Sequence, residues 1–229
     1  MRQFIAAASL LLTAAPALSQ IDQGQEGAWY SYAWTDRFED SRFGWQGDIQ
    51  ERFWDIDSDL EQRLVRAGGT WTPVNGTARY SLGAAHIRSS AFGPGNADTE
   101  EVRLYQEAFL PQTLAERFFL SHRWRLEQRD VEGQDLRNRL RYFIGLNVPL
   151  NQATLGKGAM YLAFYNELFV NLERDIGNQR GVNYFDRNRA YAALGYSLSD
   201  RTRLQAGYMW QQTDGIGKGQ FQLNLFQNF

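Results

Sequence analysis

Between Arg117 and Val148, apolar and charged side chains alternate with a period of two, and this pattern restricts the fold more than any other feature of the chain. The apolar register comprises Phe118, Leu120, His122, Trp124, Leu126, Leu136, Leu140, Tyr142, Ile144, Leu146 and Val148. The other register carries Arg123, Arg125, Glu127, Arg129, Arg137, Arg139 and Arg141. Because successive side chains of a strand point to opposite faces, the pattern predicts two long strands, each with an apolar face and an arginine-rich face. Strands of about 10 residues with this alternation are typical of outer-membrane β-barrels, whose apolar face meets lipid and whose polar face lines the lumen.

The same alternation recurs along the rest of the chain and predicts an all-β, antiparallel transmembrane barrel of about 10–12 strands. Further strands are predicted at 29–38, 43–54, 60–71, 77–87, 100–110, 159–172, 185–196, 202–213 and 220–229. Together with the first pair these make eleven, whereas bacterial barrels have an even number of strands. We therefore expect ten or twelve, either because 29–38 does not span or because one strand is hidden in a loop. The shorter connections, 72–76, 111–115 and 197–201, are expected on the periplasmic side.

The first 19 residues have the pattern of a secretory signal peptide. Arg2 supplies the positive start, Phe4–Leu18 is apolar, and Ala17 and Ser19 are small residues at the cleavage-determining places. The predicted division is a signal peptide at 1–19 and one barrel domain at 20–229. No later run has about 18 consecutive apolar residues, so the sequence predicts no transmembrane helix. The expected location is the outer membrane of a Gram-negative bacterium, with the protein monomeric.

The last predicted strand ends in alternating apolar residues and a terminal aromatic residue: Phe221, Leu223, Leu225 and Phe229. This ending resembles the signal that outer-membrane proteins present to the barrel insertion machinery. That machinery and outer-membrane lipid are therefore the expected partners. The net charge of -2 argues against nucleic acid as a partner. The chain has no cysteine, which excludes disulfides and thiolate metal sites, and we expect no cofactor and no metal.

The candidate site is a charged network on the predicted lumen face. Its members are Glu101, Arg103, Glu107, Arg123, Arg125, Glu127, Arg129, Arg137, Arg139, Arg141, Glu167, Arg187, Arg189 and Arg203. One interpretation is a structural network of salt bridges that fills a narrow barrel. The other is a porin-like narrow channel whose arginine excess selects a small anionic solute. Arg125 and Arg139 are expected to face each other across neighbouring strands, with Glu127, Glu167, Glu101 and Glu107 as counter-charges.

The alternative function is a lipid-modifying enzyme, an acyl hydrolase or transferase, located at the barrel rim. It depends on His86, which lies near Ser89, Ser90 and Asp98 in the sequence. A nucleophile, a base and an acid are recognised by their geometry, so three common residue types in one loop are a weak signal. His86 also shares the register of Tyr80 and Leu82, which predicts that it faces lipid, as does His122. We therefore assign no catalytic residue from the sequence.

Several short motifs of the chain resemble a known family. They are Trp29, Glu101-Val102-Arg103, the runs 123–129 and 137–142, Asn166-Glu167, Asn188-Arg189, Gly195-Tyr196 and Gly207-Tyr208. The pattern resembles the family of domains of unknown function DUF2490, which are uncharacterised Gram-negative outer-membrane β-barrel proteins. The similarity covers nearly all of the chain after the signal peptide. It implies the barrel fold and the outer-membrane location, and it implies no activity.

Overall fold

The computed structural model describes residues 26–93 and 98–229, and these residues form eleven β-strands and no helix. The strands are β1 (Gly27–Arg37), β2 (Phe43–Phe53), β3 (Leu60–Trp71), β4 (Arg79–Ser90), β5 (Asp98–Leu114), β6 (Phe118–Val131), β7 (Arg137–Pro149), β8 (Met160–Asn171), β9 (Phe185–Ser197), β10 (Thr202–Gln212) and β11 (Gly217–Asn228). They close into a single barrel, as the alternation predicts. Residues 1–19, the predicted signal peptide, lie outside the described residues. No helix in the described part of the chain is long and apolar enough to cross a membrane.

The barrel closes through a parallel pair, because its number of strands is odd. Every strand from β1 to β11 pairs antiparallel with its neighbour in sequence, and β1 also pairs parallel with β11, from Gly27↔Gln220 to Thr35↔Asn228. The expectation of ten or twelve strands is therefore wrong. The segment 29–38, one of the two explanations for an even number, instead forms β1, the strand that closes the barrel. β1 begins at one end of the barrel, the amino end, and β11 finishes at the other, the carboxyl end.

The hairpin between β5 and β6 is tighter than the sequence predicts. Residues 111–115 were expected to form the turn, but β5 continues to Leu114. Pro111 is tolerated there because β4 pairs with β5 only as far as Phe109, so the missing N–H removes no bond on that side. The turn itself uses Ala115 and Glu116, with φ of 46° and 58°. Two successive positive φ values define a type I′ turn, which the sequence conceals because neither residue is Gly or Asn.

The outer surface of the barrel is apolar and aromatic. Leu82, Leu104, Trp124 and Leu194 are among its exposed large side chains. Polar side chains that face outward bond to one another: the amides of Gln106 and Gln128 exchange two hydrogen bonds of 3.0 and 3.3 Å, and those of Asn166 and Asn188 exchange bonds of 2.9 and 3.0 Å. His122 stacks on Trp124 and lies 2.9 Å from the Tyr142 hydroxyl. These polar groups are therefore satisfied without water on that surface.

The longest connection, 172–184, folds over the amino end. Ile176 is buried, its carbonyl accepts from the Asp135 N–H at 3.0 Å, and the Arg180 guanidinium donates to the Gly133 carbonyl. The Asn138 side-chain amide and N–H donate to Glu173 at 2.7 and 2.6 Å, and these bonds lower the pKa of the Glu173 carboxyl. The loop is thus held in place beside the mouth of the barrel.

Candidate functional site: the arginine-lined lumen

The interior of the barrel contains one connected cavity of about 1440 Å³. Its lining includes Arg203, Asn147 and Asn228 near the carboxyl end, and Asn183, Asp186 and Asp214 near the amino end. The cavity is therefore continuous along the barrel. Most side chains around it are nevertheless well packed, since Arg125, Glu127 and Gln211 are each only 2% exposed. The lumen is thus a narrow, irregular cavity between packed polar side chains.

All fourteen residues of the predicted charged network lie on the inner face of the barrel. Thirteen of them line the cavity directly. Glu127 lies behind the lining, fully enclosed by the arginines to which it bonds. The period-two alternation places them together because every second residue of a strand points inward.

Two glutamates on β6 and β8 hold three arginines in place. Glu127 accepts from Arg139 at 2.6 Å and from Arg141 at 2.7 Å. Glu167 accepts from Arg141 at 2.6 and 3.0 Å, and from Arg123 at 2.7 Å. Arg141 therefore bridges the two glutamates. Charge-assisted bonds of this kind are stronger than neutral ones and fix the orientation of the planar guanidinium group.

On β5, Glu107 and Glu101 bind three further arginines, Arg125, Arg103 and Arg129. Glu107 accepts from Arg125 at 2.7 Å and from the Gln46 amide at 3.0 Å. Glu101 accepts two bonds each from Arg103, at 2.6 and 2.7 Å, and from Arg129, at 2.6 and 3.0 Å. The single negative charge of Glu101 is thus shared between two arginines.

The register of β6 and β7 differs from the sequence-based prediction. Arg125 faces Arg141, and Arg139 faces Glu127. The expectation that Arg125 and Arg139 face each other is wrong, because Arg129 pairs with Arg137 and the hairpin is centred on Gly133, which moves the partner of Arg125 by two residues, to Arg141. The four expected counter-charges all bond to arginines of the wall.

Several inner-face residues were not included in the predicted network. The alternation of β2 to β4 already put Asp48, Arg52, Arg66 and Arg79 opposite the apolar register, so the signal was present. In the structure Arg66 donates to Asp48 at 2.6 Å. Asp186 was missed for another reason. A register irregularity at Phe169 and Val170 turns Asp186 inward beside Arg187, and Asp186 accepts from Arg139 at 2.7 Å. Alternation alone cannot reveal such a bulge.

The inner face of the described strands carries more positive than negative side chains. The arginines are Arg52, Arg66, Arg79, Arg103, Arg123, Arg125, Arg129, Arg137, Arg139, Arg141, Arg187, Arg189 and Arg203. The carboxylates are Asp48, Glu61, Glu101, Glu107, Glu127, Glu167 and Asp186. Within residues 26–93 and 98–229, five of these arginines have no carboxylate within 4.0 Å: Arg52, Arg79, Arg137, Arg189 and Arg203. These five guanidinium groups are therefore not neutralised by a direct ion pair.

The residues of the enzymatic alternative do not come together. His86 faces outward with a side chain 61% exposed, and its Nε2 lies 2.6 Å from Glu100. Ser89 lies on the opposite face of β4, where its hydroxyl accepts from the Gln62 amide at 2.7 Å. Ser90 bonds to Asp98 rather than to His86. Neither Ser89 nor Ser90 is thus placed to be activated by His86. In the described part of the chain, no group of three acidic or histidine side chains could hold a metal ion.

Fold and interior together define a closed β-barrel with an apolar outer surface and an arginine-rich polar lumen. The chain belongs to the family "Protein of unknown function (DUF2490)", whose model matches residues 26–222. The resemblance seen in the sequence is thereby confirmed. No curated protein matches the chain.

Proposed function

We propose that this protein is an outer-membrane β-barrel whose lumen is a narrow passage for small anions. The observation that carries the proposal is the set of five lumen arginines without a carboxylate partner. They are found towards both ends of the cavity: Arg79 and Arg203 lie near the carboxyl end, Arg52 and Arg137 lie at the amino end, and Arg189 lies in the amino-end half of β9. Charged side chains that line a pore set its ion selectivity, and a positive lining favours anions.

The outer surface supports a membrane location. Leu82 on β4, Val102 and Leu104 on the adjacent β5, and Leu194 on β9, further round the barrel, project outward and are each about half exposed or more, at 64, 49, 55 and 50%. Such a continuous apolar surface on a monomer is unfavourable in water and marks an interaction with a membrane or another protein. In a closed barrel every strand is paired on both sides, so no backbone N–H or C=O group is left without a partner. This is the condition under which strands can cross the lipid bilayer.

The structural interpretation and the channel interpretation each describe part of the lumen. The glutamate–arginine network on β5 to β8 is packed and holds one wall together, as a filled barrel requires. The continuous cavity of about 1440 Å³ leaves room for water and small solutes beside that wall. We therefore propose that the paired arginines have a structural role and that the unpaired ones determine selectivity.

The test of selectivity is the reversal potential of the purified protein in a planar bilayer under a salt gradient of potassium chloride. We expect an anion-selective potential that moves towards zero in Arg79→Gln and in Arg203→Gln. The matched control is Arg63→Gln, which removes the same charge from the outer face, where Arg63 pairs with Glu51 at 2.7 Å. A cation-selective potential, or an equal shift in the control, would contradict the proposal, and so would the absence of any conductance.

The test of location is fractionation of cells that express the protein. We expect recovery with outer membranes and heat-modifiable migration on a mild detergent gel, because a closed barrel remains folded until heated. Recovery as a soluble periplasmic protein would contradict the membrane proposal as a whole.

A further inference from the structure

We infer that Trp29, Arg52 and Arg189 form a binding site for a small oxyanion, a carboxylate or phosphate group, inside the lumen. Trp29 lies on β1, Arg52 on β2 and Arg189 on β9, and all three side chains line the cavity. Each is more than nine-tenths buried. The inference deepens the proposed function, and it rests on that function only for the route by which the anion reaches the site.

The indole ring of Trp29 brings the two guanidinium groups together. The Cζ atom of Arg52 lies 3.7 Å from the ring centroid, and that of Arg189 lies 4.7 Å from it. Arg189 also lies 4.7 Å from the ring of Phe169 on β8. Stacking on an aromatic face stabilises a guanidinium group without using its N–H donors. The two arginines are thus fixed on one ring while their donors remain available.

Neutral amides, rather than carboxylates, orient both arginines. Arg52 donates to the Gln50 side-chain oxygen at 2.8 Å, and Arg189 donates to that of Gln211 at 2.7 Å. Gln50 is itself held by its bond to Asp48 at 2.7 Å. An amide fixes the geometry of a guanidinium group but leaves its charge in place. Two like charges therefore remain close together in the lumen.

The neighbouring carboxylates, Glu61 and Glu167, are occupied by other partners. Glu167 lies opposite Arg189 in the ladder between β8 and β9, but its bonds go to Arg141 and Arg123. Glu61 accepts from the Gln220 amide at 3.0 Å and lies 3.5 Å from the Lys218 ammonium group. It makes no ion pair with Arg52 or Arg189 within 4.0 Å. Bringing two guanidinium groups to one buried ring is costly unless an anion can reach them, because a buried charge needs a partner.

Two buried donors at this place have no acceptor in the described part of the chain. They are the Trp29 Nε1–H and the Arg52 Nε–H. A buried donor left without an acceptor costs about 1–3 kcal/mol, so native structures seldom contain one without a reason. Two arginines and an indole N–H offer only donors, which suits a group that offers only acceptors. Carboxylate and phosphate oxygens have this property, and the planar fork of arginine matches them with two bonds.

The experiment measures binding by the folded protein in detergent, with inorganic phosphate and succinate as probes, by titration calorimetry and by tryptophan fluorescence. We expect at least one probe to bind. Arg52→Gln and Arg189→Gln should each weaken that binding by about tenfold, since bonds to charged groups contribute that much. Arg203→Gln is the matched control: it removes the same charge from another unpaired lumen arginine, and it should leave the affinity nearly unchanged.

The Trp29→Phe variant distinguishes a specific binding site from nonspecific attraction of anions to a positively charged lumen. The variant keeps an aromatic ring under the arginines and changes no charge, but it removes the indole N–H. We expect binding to weaken by about threefold, as for the loss of one hydrogen bond. Circular dichroism and heat modifiability verify that each variant is folded.

The outcomes decide the two proposals separately. The site is refuted if neither probe binds, or if Arg203→Gln weakens binding as much as Arg52→Gln does. If the probes bind as expected but the bilayer shows no anion preference, the site stands and the passage is refuted. An anion-selective conductance without saturable binding would support the passage and refute the site.

Discussion

Arg125 lies directly opposite Arg141 across the ladder between β6 and β7, and the two guanidinium groups are held apart by glutamates. Arg125 bonds to Glu107, and Arg141 bonds to Glu127 and Glu167. Like charges that face each other across a sheet destabilise it. The wall formed by β5 to β8 therefore depends on these three carboxylates for its stability.

The first prediction concerns Glu167→Gln. The substitution removes the charge that binds Arg141 and Arg123, so it leaves two inner-face arginines short of a partner. We expect the free energy of unfolding to fall by about 3 kcal/mol, as for other buried pairs that lose one member. The measurement is the unfolding midpoint in detergent with increasing denaturant. The reversal potential should also move towards stronger anion preference.

The matched control for this change is Glu51→Gln on the outer face. Glu51 pairs with Arg63, and both side chains are well exposed, at 39 and 57%. Both residues lie within three residues of the strand ends at the amino-end rim, where an exposed pair contributes only about 0–1 kcal/mol, so the midpoint should hardly move. Equal effects of the two variants would show that the inner network does not support the wall.

The second prediction concerns Gly195→Ala on the inner face of β9. The ring of Tyr161 lies over Gly195, and an added Cβ would come within 2.2 Å of it. Tyr161 is fully buried and its hydroxyl accepts from the Gln205 amide at 3.2 Å, so displacing the ring would disrupt its packing and this bond. We expect a loss of about 1–3 kcal/mol in unfolding free energy, the usual cost of overpacking. Gly69→Ala is the control, because a Cβ there meets no atom within 4 Å. If Gly195→Ala leaves the free energy of unfolding unchanged, the Tyr161 ring does not lie over Gly195.

The third prediction tests the parallel closure of the barrel. Ser31 on β1 faces Asn224 on β11, and the Ser31 hydroxyl donates to Asn224 at 2.6 Å. The chain has no cysteine of its own, so Ser31→Cys with Asn224→Cys should form a single internal disulfide on oxidation. Electrophoretic mobility without reducing agent detects it. Ser31→Cys with Asn228→Cys, four residues out of register and about 13 Å away, should not cross-link. The reverse result would mean that β1 does not close the barrel in this register.

The fourth prediction concerns the enzymatic alternative. His86 faces outward and bonds to Glu100, and Ser89 faces inward on the same strand. We therefore expect His86→Ala to change no lipid species in membranes that contain the protein, as measured by lipid mass spectrometry. The Ser89→Ala variant should give the same result. A changed lipid profile in either variant would establish an enzymatic role.

Alternation was sufficient to predict which residues of a strand point inward. The inner positions of Arg103, Glu107 and Glu167 follow from it directly, because the side-chain period of a strand is two. Alternation does not fix how far one strand is shifted against the next. The facing pair Arg125–Arg141 depends on the length of the connection between β6 and β7, and strand ends are the least certain part of a sequence-based prediction.

The features of the site that could not be predicted arise from contacts between distant strands. Trp29 and Arg189 are separated by 160 residues of sequence, and only closure of the barrel brings them together. A strand at 29–38 was predicted, but its role in closing the barrel was not, because the even-number rule for bacterial barrels argued against an eleventh strand. The inward turn of Asp186 depends on a bulge, which leaves no periodic signal.

The parallel seam between β1 and β11 also has a consequence for assembly. Ten of the eleven ladders join strands that are adjacent in sequence and can form as soon as each hairpin is made, whereas Gly27 meets Gln220 only after the whole barrel has been synthesised. Contacts between residues far apart in sequence form slowly, and parallel pairs are slightly less stable per residue than antiparallel ones. We therefore expect this seam to be the last part of the wall to form and the first to open on heating. A chain that stalls before this step would keep two unpaired edges, each able to recruit a strand from another molecule.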